Sequence, residues 1–357
     1  MIYVTSHLIS HAFQVHAPSG LRKQATKQEQ QRHILHTKTT ISNKALTQIA
    51  TQGKGAIKST QTNKMGNTAI NSVLFQPPDS PHDLPKDANL VWLETRHGNS
   101  IPAIFLRPKR QINRVKMTLI YSHANSEDLG LLYKKLKELS TALGVNIFAY
   151  DYTGYGYSKK LSPNAEPSEE ACYADIEAAY KYLINNGTPS ERIVLYGRSV
   201  GSGPSCHLAS LIGPRLGGLI LHSPFTSVYR IMIDFGCSMG FFGDMFQNLE
   251  AVEKIKCPVF IIHGVEDEII PFSHGCTLYN AFSSELKYNP LWVEGMGHNS
   301  MSRPMADSII SRISGFLKHV EKRSNAIRKS KARIRGGYKN RVKVHSIIDE
   351  RDQYFDI

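Results

Sequence analysis

From residue 90 onward, short runs of apolar and β-branched residues alternate with longer segments whose apolar positions recur at helical spacing. The runs at 90–95, 101–106, 116–121, 145–151, 193–196, 218–222, 259–263 and 291–293 predict strands. The segments near 127–142, 168–185, 201–211, 250–255 and 302–321 predict helices. Strands alternating with helices predict an α/β fold, with a mostly parallel central sheet covered by helices on both faces. Only HGNS (97–100) separates the first two strands, which predicts an antiparallel hairpin at one edge. In open α/β sheets the chemistry gathers at the carboxyl ends of the strands. Functional side chains are therefore expected directly after strands.

The pattern fades at both ends of the chain. Residues 1–75 are rich in Gln, Thr, Lys, His and Ser and carry little apolar surface to offset the entropy of ordering. QPPDSPHDLP (76–85) then marks a proline-rich boundary. The expected organisation is a disordered, basic and polar extension over 1–78, a catalytic domain over 79–321 and a basic tail over 322–357. Between the strands at 218–222 and 259–263 lies an unusually long connection (223–258), expected to form a cap after the strand ending near His222. Its adaptable Met and Phe side chains suit a long acyl chain. Phe225, Met232, Phe235, Met239, Phe242, Met245 and Phe246 are the acyl-binding candidates, and ordinary helix–sheet packing is the competing role for the same residues.

Composition narrows the class. The 357 residues, 41% of them hydrophobic, suffice for a sizeable core. No apolar run approaches the ~18 residues of a membrane-spanning helix. The opening MIYVTSHLISHAF lacks the basic start of a secretory signal. The net charge of +13 invites a nucleic-acid reading, but its location argues otherwise. Residues 1–78 hold 9 Lys and Arg against one acid, and 321–357 hold 11 against 5. The body between them is nearly neutral, so a nucleic-acid-binding face is not expected. The run at 322–345 carries 10 Lys and Arg. At an anionic membrane each could contribute ~1 kcal/mol. A solvated tail, a nuclear targeting signal and a transient RNA contact are the alternatives there, and a mitochondrial transit peptide is the alternative for the acid-poor start. Five dispersed cysteines without CxxC spacing predict neither a disulfide framework nor a zinc site, and favour a reducing, cytoplasmic compartment.

Residues 193–204, IVLYGRSVGSGP, place Ser199 between Gly197 and Gly201 just after a strand. This G-x-S-x-G spacing is that of a nucleophile elbow, in which small residues let strand and helix close sharply around a strained serine. FIIHGVEDEIIP (260–271) is a strand followed by Glu266, Asp267 and Glu268, and LWVEGMGHNS (291–300) is a strand followed by His298. The order Ser199, Asp267, His298 is that of a hydrolase triad. A serine hydroxyl is a weak nucleophile, so an imidazole must take its proton and a carboxylate must orient that imidazole. An oxyanion also needs donors. The backbone N–H of Val200 is one candidate, and the HAN loop (123–125) supplies the other: Asn125, with Ala124 as the fallback. The constellation requires no cofactor and no metal ion.

YSHANSEDLG (121–130), YDYTGYGYS (150–158), YADIEAAY (173–180), LYGRSVGSGP (195–204), LHSP (221–224), IIHGVEDEIIPFSHG (261–275) and LWVEGMGHN (291–299) together resemble the alpha/beta hydrolase domain-containing protein 17 family. The resemblance runs through residues ~90–320 and implies an alpha/beta-hydrolase fold and a serine hydrolase that removes palmitate from protein cysteines. It also implies the roles of nucleophile, acid and base for Ser199, Asp267 and His298. Three departures stand out: Ala124 where the family has Gly, Arg198 where it usually has Gln, and no cysteine before Cys172 to match the family's N-terminal palmitoylated cluster. The expected substrates and partners are S-acylated proteins, with a peripheral contact to the cytosolic face of a membrane. A carboxylesterase, a lipase-like or peptidase-like hydrolase with the same triad, and a non-catalytic hydrolase-fold protein binding acylated partners are the alternatives.

Overall fold

The computed structural model of the chain describes residues 71, 74–86, 88–108, 117–234 and 244–341, with side chains described as far as residue 329. Eight strands form one sheet: β1 (Leu90–Glu94), β2 (Ser100–Leu106), β3 (Thr118–Ser122), β4 (Asn146–Tyr150), β5 (Ile193–Arg198), β6 (Gly218–His222), β7 (Val259–Gly264) and β8 (Leu291–Val293). Their spatial order is β1-β2-β4-β3-β5-β6-β7-β8. The hairpin β1–β2 and the β2–β4 pair are antiparallel, and every pair from β4 to β8 is parallel. The carboxyl ends of β3, β5, β7 and β8 therefore open onto the same edge of the sheet.

The inner strands β3 to β7 read as unbroken apolar runs because both faces are covered. Successive side chains of a strand point to opposite faces. Ile193 and Leu195 of β5 accordingly join one core, while Val194 and Tyr196 join the other. In β7, Val259 and Ile261 likewise separate from Phe260 and Ile262. Helices α1 (Leu129–Leu143), α2 (Glu169–Asn185), α3 (Ser202–Ile212), α4 (Val228–Asp234), α5 (Phe272–Ala281) and α6 (Arg303–Arg341) complete the layers. Leu132 and Leu136 of α1 share a core with Ile313 and Phe316 of α6, while Ile176 of α2 and Leu208 of α3 pack in the other. Asp128 caps α1 by accepting the Leu131 N–H at 2.9 Å, and Gly144 ends it with φ 67°.

The structure departs from the sequence pattern in several places. The helices at 228–234 and 272–281 were absent from it, being short and holding residues of weak helix propensity; α5 includes Gly275, Thr277 and Asn280. The helix expected at 250–255 is a turn, Asn248–Ala251, continued by a 3-10 turn over Val252–Lys254. The boundary expected after residue 321 falls inside α6, whose 39 residues run on through Lys- and Arg-rich sequence. The boundary expected after residue 78 falls inside packed chain, because Phe75 is only 4% exposed and meets the Phe246 ring edge-on at 6.2 Å. Phe75→Ala is expected to lower the unfolding free energy by about 3 kcal/mol, the cost of emptying a buried aromatic site. A loss below about 1 kcal/mol in urea denaturation would place Phe75 outside the core.

Candidate active site

The elbow begins with a packing constraint. A Cβ on Gly197 would collide with the Gly201 carbonyl and the Ser205 hydroxyl, and a Cβ on Gly201 would collide with the Ser122 carbonyl. Only glycine at both positions lets β3, β5 and α3 approach this closely. Ser199, forced through the bend, has φ 54°, in the left-handed region that costs a side-chain-bearing residue.

Three loops bring the predicted triad residues into a line. His298 Nε2 lies 3.0 Å from Ser199 Oγ, and His298 Nδ1 lies 2.8 Å from Asp267 Oδ2 and 3.0 Å from Oδ1. All three are buried, each less than a tenth exposed. Of the neighbouring acids in VEDE, Glu266 and Glu268 are exposed and Asp267 alone is buried. Asp267 also accepts the N–H groups of Ile269 (3.1 Å) and Ile270 (2.8 Å), and His263 Nε2 stands 3.4 Å from its Oδ2. Burial opposes ionisation of Asp267. Hydrogen bonds from His263 and His298, the attraction of His298 and the Ile270 N–H outweigh it and hold the carboxyl well below the usual range. A carboxylate that stays ionised can orient the imidazole and stabilise its cation.

Residues outside the predicted set shape the same site. Glu268 accepts the His298 backbone N–H at 3.0 Å, and Ser300 Oγ accepts that of Gly297 at 3.1 Å. Arg198 donates to Glu127 Oε1 at 2.6 Å, to the His298 carbonyl at 3.2 Å and to Asn299 Oδ1 at 3.1 Å. A charged residue at the end of an otherwise apolar strand was a legible signal for the last of these, since a buried charge demands a partner.

Val200 is buried in the turn that leads into α3, and Asn125 lies in the loop after β3. The Asn125 side chain is held at both ends of its amide: Oδ1 accepts from the Gln76 N–H (2.9 Å) and the Tyr155 hydroxyl (2.7 Å), and Nδ2 donates to the Leu74 carbonyl (2.7 Å). Two of these bonds tie the loop to chain that lies ahead of the expected domain boundary. The fallback donor differs, because the Ala124 N–H is given to Glu127 Oε2 at 2.9 Å.

The acyl-binding candidates are corrected in part. Phe225, Met245 and Phe246 are core residues, at most 5% exposed, and Phe246 meets the rings of Phe75, Tyr173 and Phe225 edge-on. Their apolar character is accounted for by helix–sheet packing. Met232 is partly buried against the same core, and Phe235, Met239 and Phe242 lie outside the described residues. An open cleft of about 340 Å³ near α2 and α3 is polar instead, lined by Glu169, Glu170, His207, Asp244 and Glu250 among others, with none of the triad residues. Among the described residues, no helix is long and apolar enough to cross a membrane, and no group of three or more His, Cys, Asp or Glu is placed to hold a metal ion.

Comparison with known proteins places this geometry in context. Residues 113–249 match the model of the family described as serine aminopeptidase, S33. Over 274 residues the chain is 34% identical to the alpha/beta hydrolase domain-containing protein aho-3 of Caenorhabditis elegans, covering 70% of this chain and 78% of the relative. It is 40% identical over 234 residues to the human alpha/beta hydrolase domain-containing protein 17B, covering 65% of this chain and 76% of that protein. Among solved structures, the Pyrococcus furiosus esterase Pf2001 superposes with a TM-score of 0.53 at 19% identity, over 69% of this chain and 98% of the esterase. The fold is that of the alpha/beta hydrolases.

Proposed function

Because the chain belongs to the alpha/beta hydrolase domain-containing protein 17 family, we propose that it is a serine hydrolase cleaving long-chain acyl thioesters, namely S-palmitoyl groups on protein cysteines. The observation that carries this reading is the hydrogen-bonded line from Ser199 through His298 to Asp267. Ser199 Oγ attacks the thioester carbonyl while His298 Nε2 takes its proton. The carbonyl oxygen gains negative charge, which the backbone N–H groups of Val200 and Asn125 are proposed to meet. Collapse of the tetrahedral intermediate breaks the C–S bond, and the cysteine sulfur leaves with the proton from His298. A water molecule, deprotonated by the same imidazole, then attacks the acyl-serine. The fatty acid departs and Ser199 recovers its proton.

A thioester suits this machinery because a thiol of pKa about 8.5 is a good leaving group. The demand therefore falls on nucleophile activation and oxyanion binding. The proposed partners are S-acylated proteins at a membrane surface, with the basic residues that follow position 321 supplying an electrostatic contact to anionic lipid.

The test compares the purified protein on a palmitoyl-thioester peptide and on a short-chain nitrophenyl ester, alongside labelling by a fluorophosphonate. The expected result is labelling at Ser199 and a higher kcat/KM for the palmitoyl thioester. A clear preference for the short ester would make the protein a carboxylesterase. Absence of both labelling and turnover would make it a binding protein.

A further inference from the structure

The residue between Gly197 and Ser199 is the part of the elbow that the triad chemistry leaves without a role. Arg198 closes β5 at the point where the chain turns into the serine. Its side chain is 11% exposed and that of Glu127 is 14% exposed, so this is an ion pair withdrawn from water rather than a surface contact. Each partner has a second attachment. Arg198 Nη2 donates to the His298 carbonyl and to Asn299 Oδ1, while Glu127 Oε2 accepts the Ala124 N–H. One pair thus joins the loop after β3, which carries Asn125, to the elbow and to the loop carrying His298. These segments are far apart in sequence: Arg198 is 71 residues from Glu127 and 100 from His298.

We propose that Arg198 and Glu127 act together as positioning residues, holding the His298 loop and the Asn125 loop in register with Ser199. The proposal rests on the Ser199–His298–Asp267 reading above. A planar guanidinium suits the task, because its donors leave in fixed directions and one side chain can serve a carboxylate and a carbonyl at once. Lysine, a point charge with freely rotating donors, offers no such fixed fork. A glutamine here would offer a single NH₂ and no charge for Glu127 to pair with. Displacements of the order of 1 Å between reacting groups can cost about 10²-fold in rate, which sets the size of the effect.

Stability and positioning are separated by comparing Arg198→Met with the double variant Arg198→Met/Glu127→Leu in the full-length protein. The single change leaves a buried carboxylate unpaired and should lower Tm. The double change replaces the pair with apolar groups and should recover much of that loss. Turnover should behave differently. Both variants are expected to show kcat down by about 10–10²-fold with KM within about threefold, because the loops remain unregistered in either case. Nuclear magnetic resonance of the His298 ring supplies a readout independent of turnover: the Nδ1–H signal of the bond to Asp267 should broaden or move in both variants. If the double variant regains kcat together with Tm, or the His298 signal stays unchanged in both, the pair merely fills space and the proposal is overturned. Failure of the wild-type protein to label with fluorophosphonate is a separate outcome, which overturns the hydrolase reading and the proposal that rests on it.

Discussion

Ser199→Ala is expected to lower kcat by about 10⁶-fold, the loss seen when a triad loses its nucleophile, and to abolish fluorophosphonate labelling. The variant should remain folded. Alanine removes one hydroxyl from a buried position and keeps the Cβ, so the backbone at φ 54° is as strained as before. Ser199→Gly is the informative companion. Relief of a left-handed conformation is worth about 1–2 kcal/mol, whereas the extra backbone freedom of glycine costs about 0.5–1 kcal/mol. The glycine variant should therefore melt above the alanine variant while being equally inactive. Turnover by Ser199→Ala within tenfold of wild type would remove Ser199 from the chemistry. A glycine variant melting below the alanine one would show that the bend stores no strain.

Asp267→Asn is expected to lower kcat by about 10³–10⁴-fold, because an amide cannot hold the imidazole in the productive tautomer or stabilise its cation. Glu266→Gln should change kcat by less than tenfold, since that side chain is exposed and outside the hydrogen-bonded line. The same carboxyl makes an acid-side contribution to stability. Its folded pKa lies below the ordinary 3.8, so at low pH the unfolded chain binds a proton that the native Asp267 refuses. The contribution is present in full above that ordinary value and is lost as pH falls from it toward the folded value. The Tm gap between wild type and Asp267→Asn should accordingly be widest near neutral pH and shrink below about pH 4. A gap that stayed constant, or widened in acid, would mean that the carboxylate gains nothing from its neighbours.

The strands and the residues of the Ser199–His298–Asp267 line were legible in the sequence for the same reason. Strands buried on both faces write themselves as unbroken apolar runs, and the chemistry of such a sheet stands immediately after them. Ser199, Asp267 and His298 each follow a run of that kind. What escaped was tertiary contact between loops. Nothing local to Glu127 announces Arg198, and nothing in VEDE reveals that Glu268 receives the His298 N–H. Leu74 and Phe75 looked like the end of a polar extension because a three-residue apolar run, Val73 to Phe75, makes no periodicity. The core around Phe246 and the amide of Asn125 give them a place in the fold. The Phe and Met residues of the 223–258 connection were apolar enough for a lipid site, but composition cannot separate a residue that packs a core from one that lines a channel. Phe225 and Phe246 proved to be the former.

Among the described residues β8 is the last strand, three residues long and paired with β7 alone, and His298 hangs from the loop that follows it. A ribosome delivers the chain from the amino end, so the elbow is synthesised 99 residues before the imidazole it needs. During that interval the nascent polypeptide carries Ser199 without His298. On the reading proposed above, competence becomes a late event of biosynthesis, timed by the docking of one short edge strand, and a chain truncated anywhere before that strand would lack the proposed base.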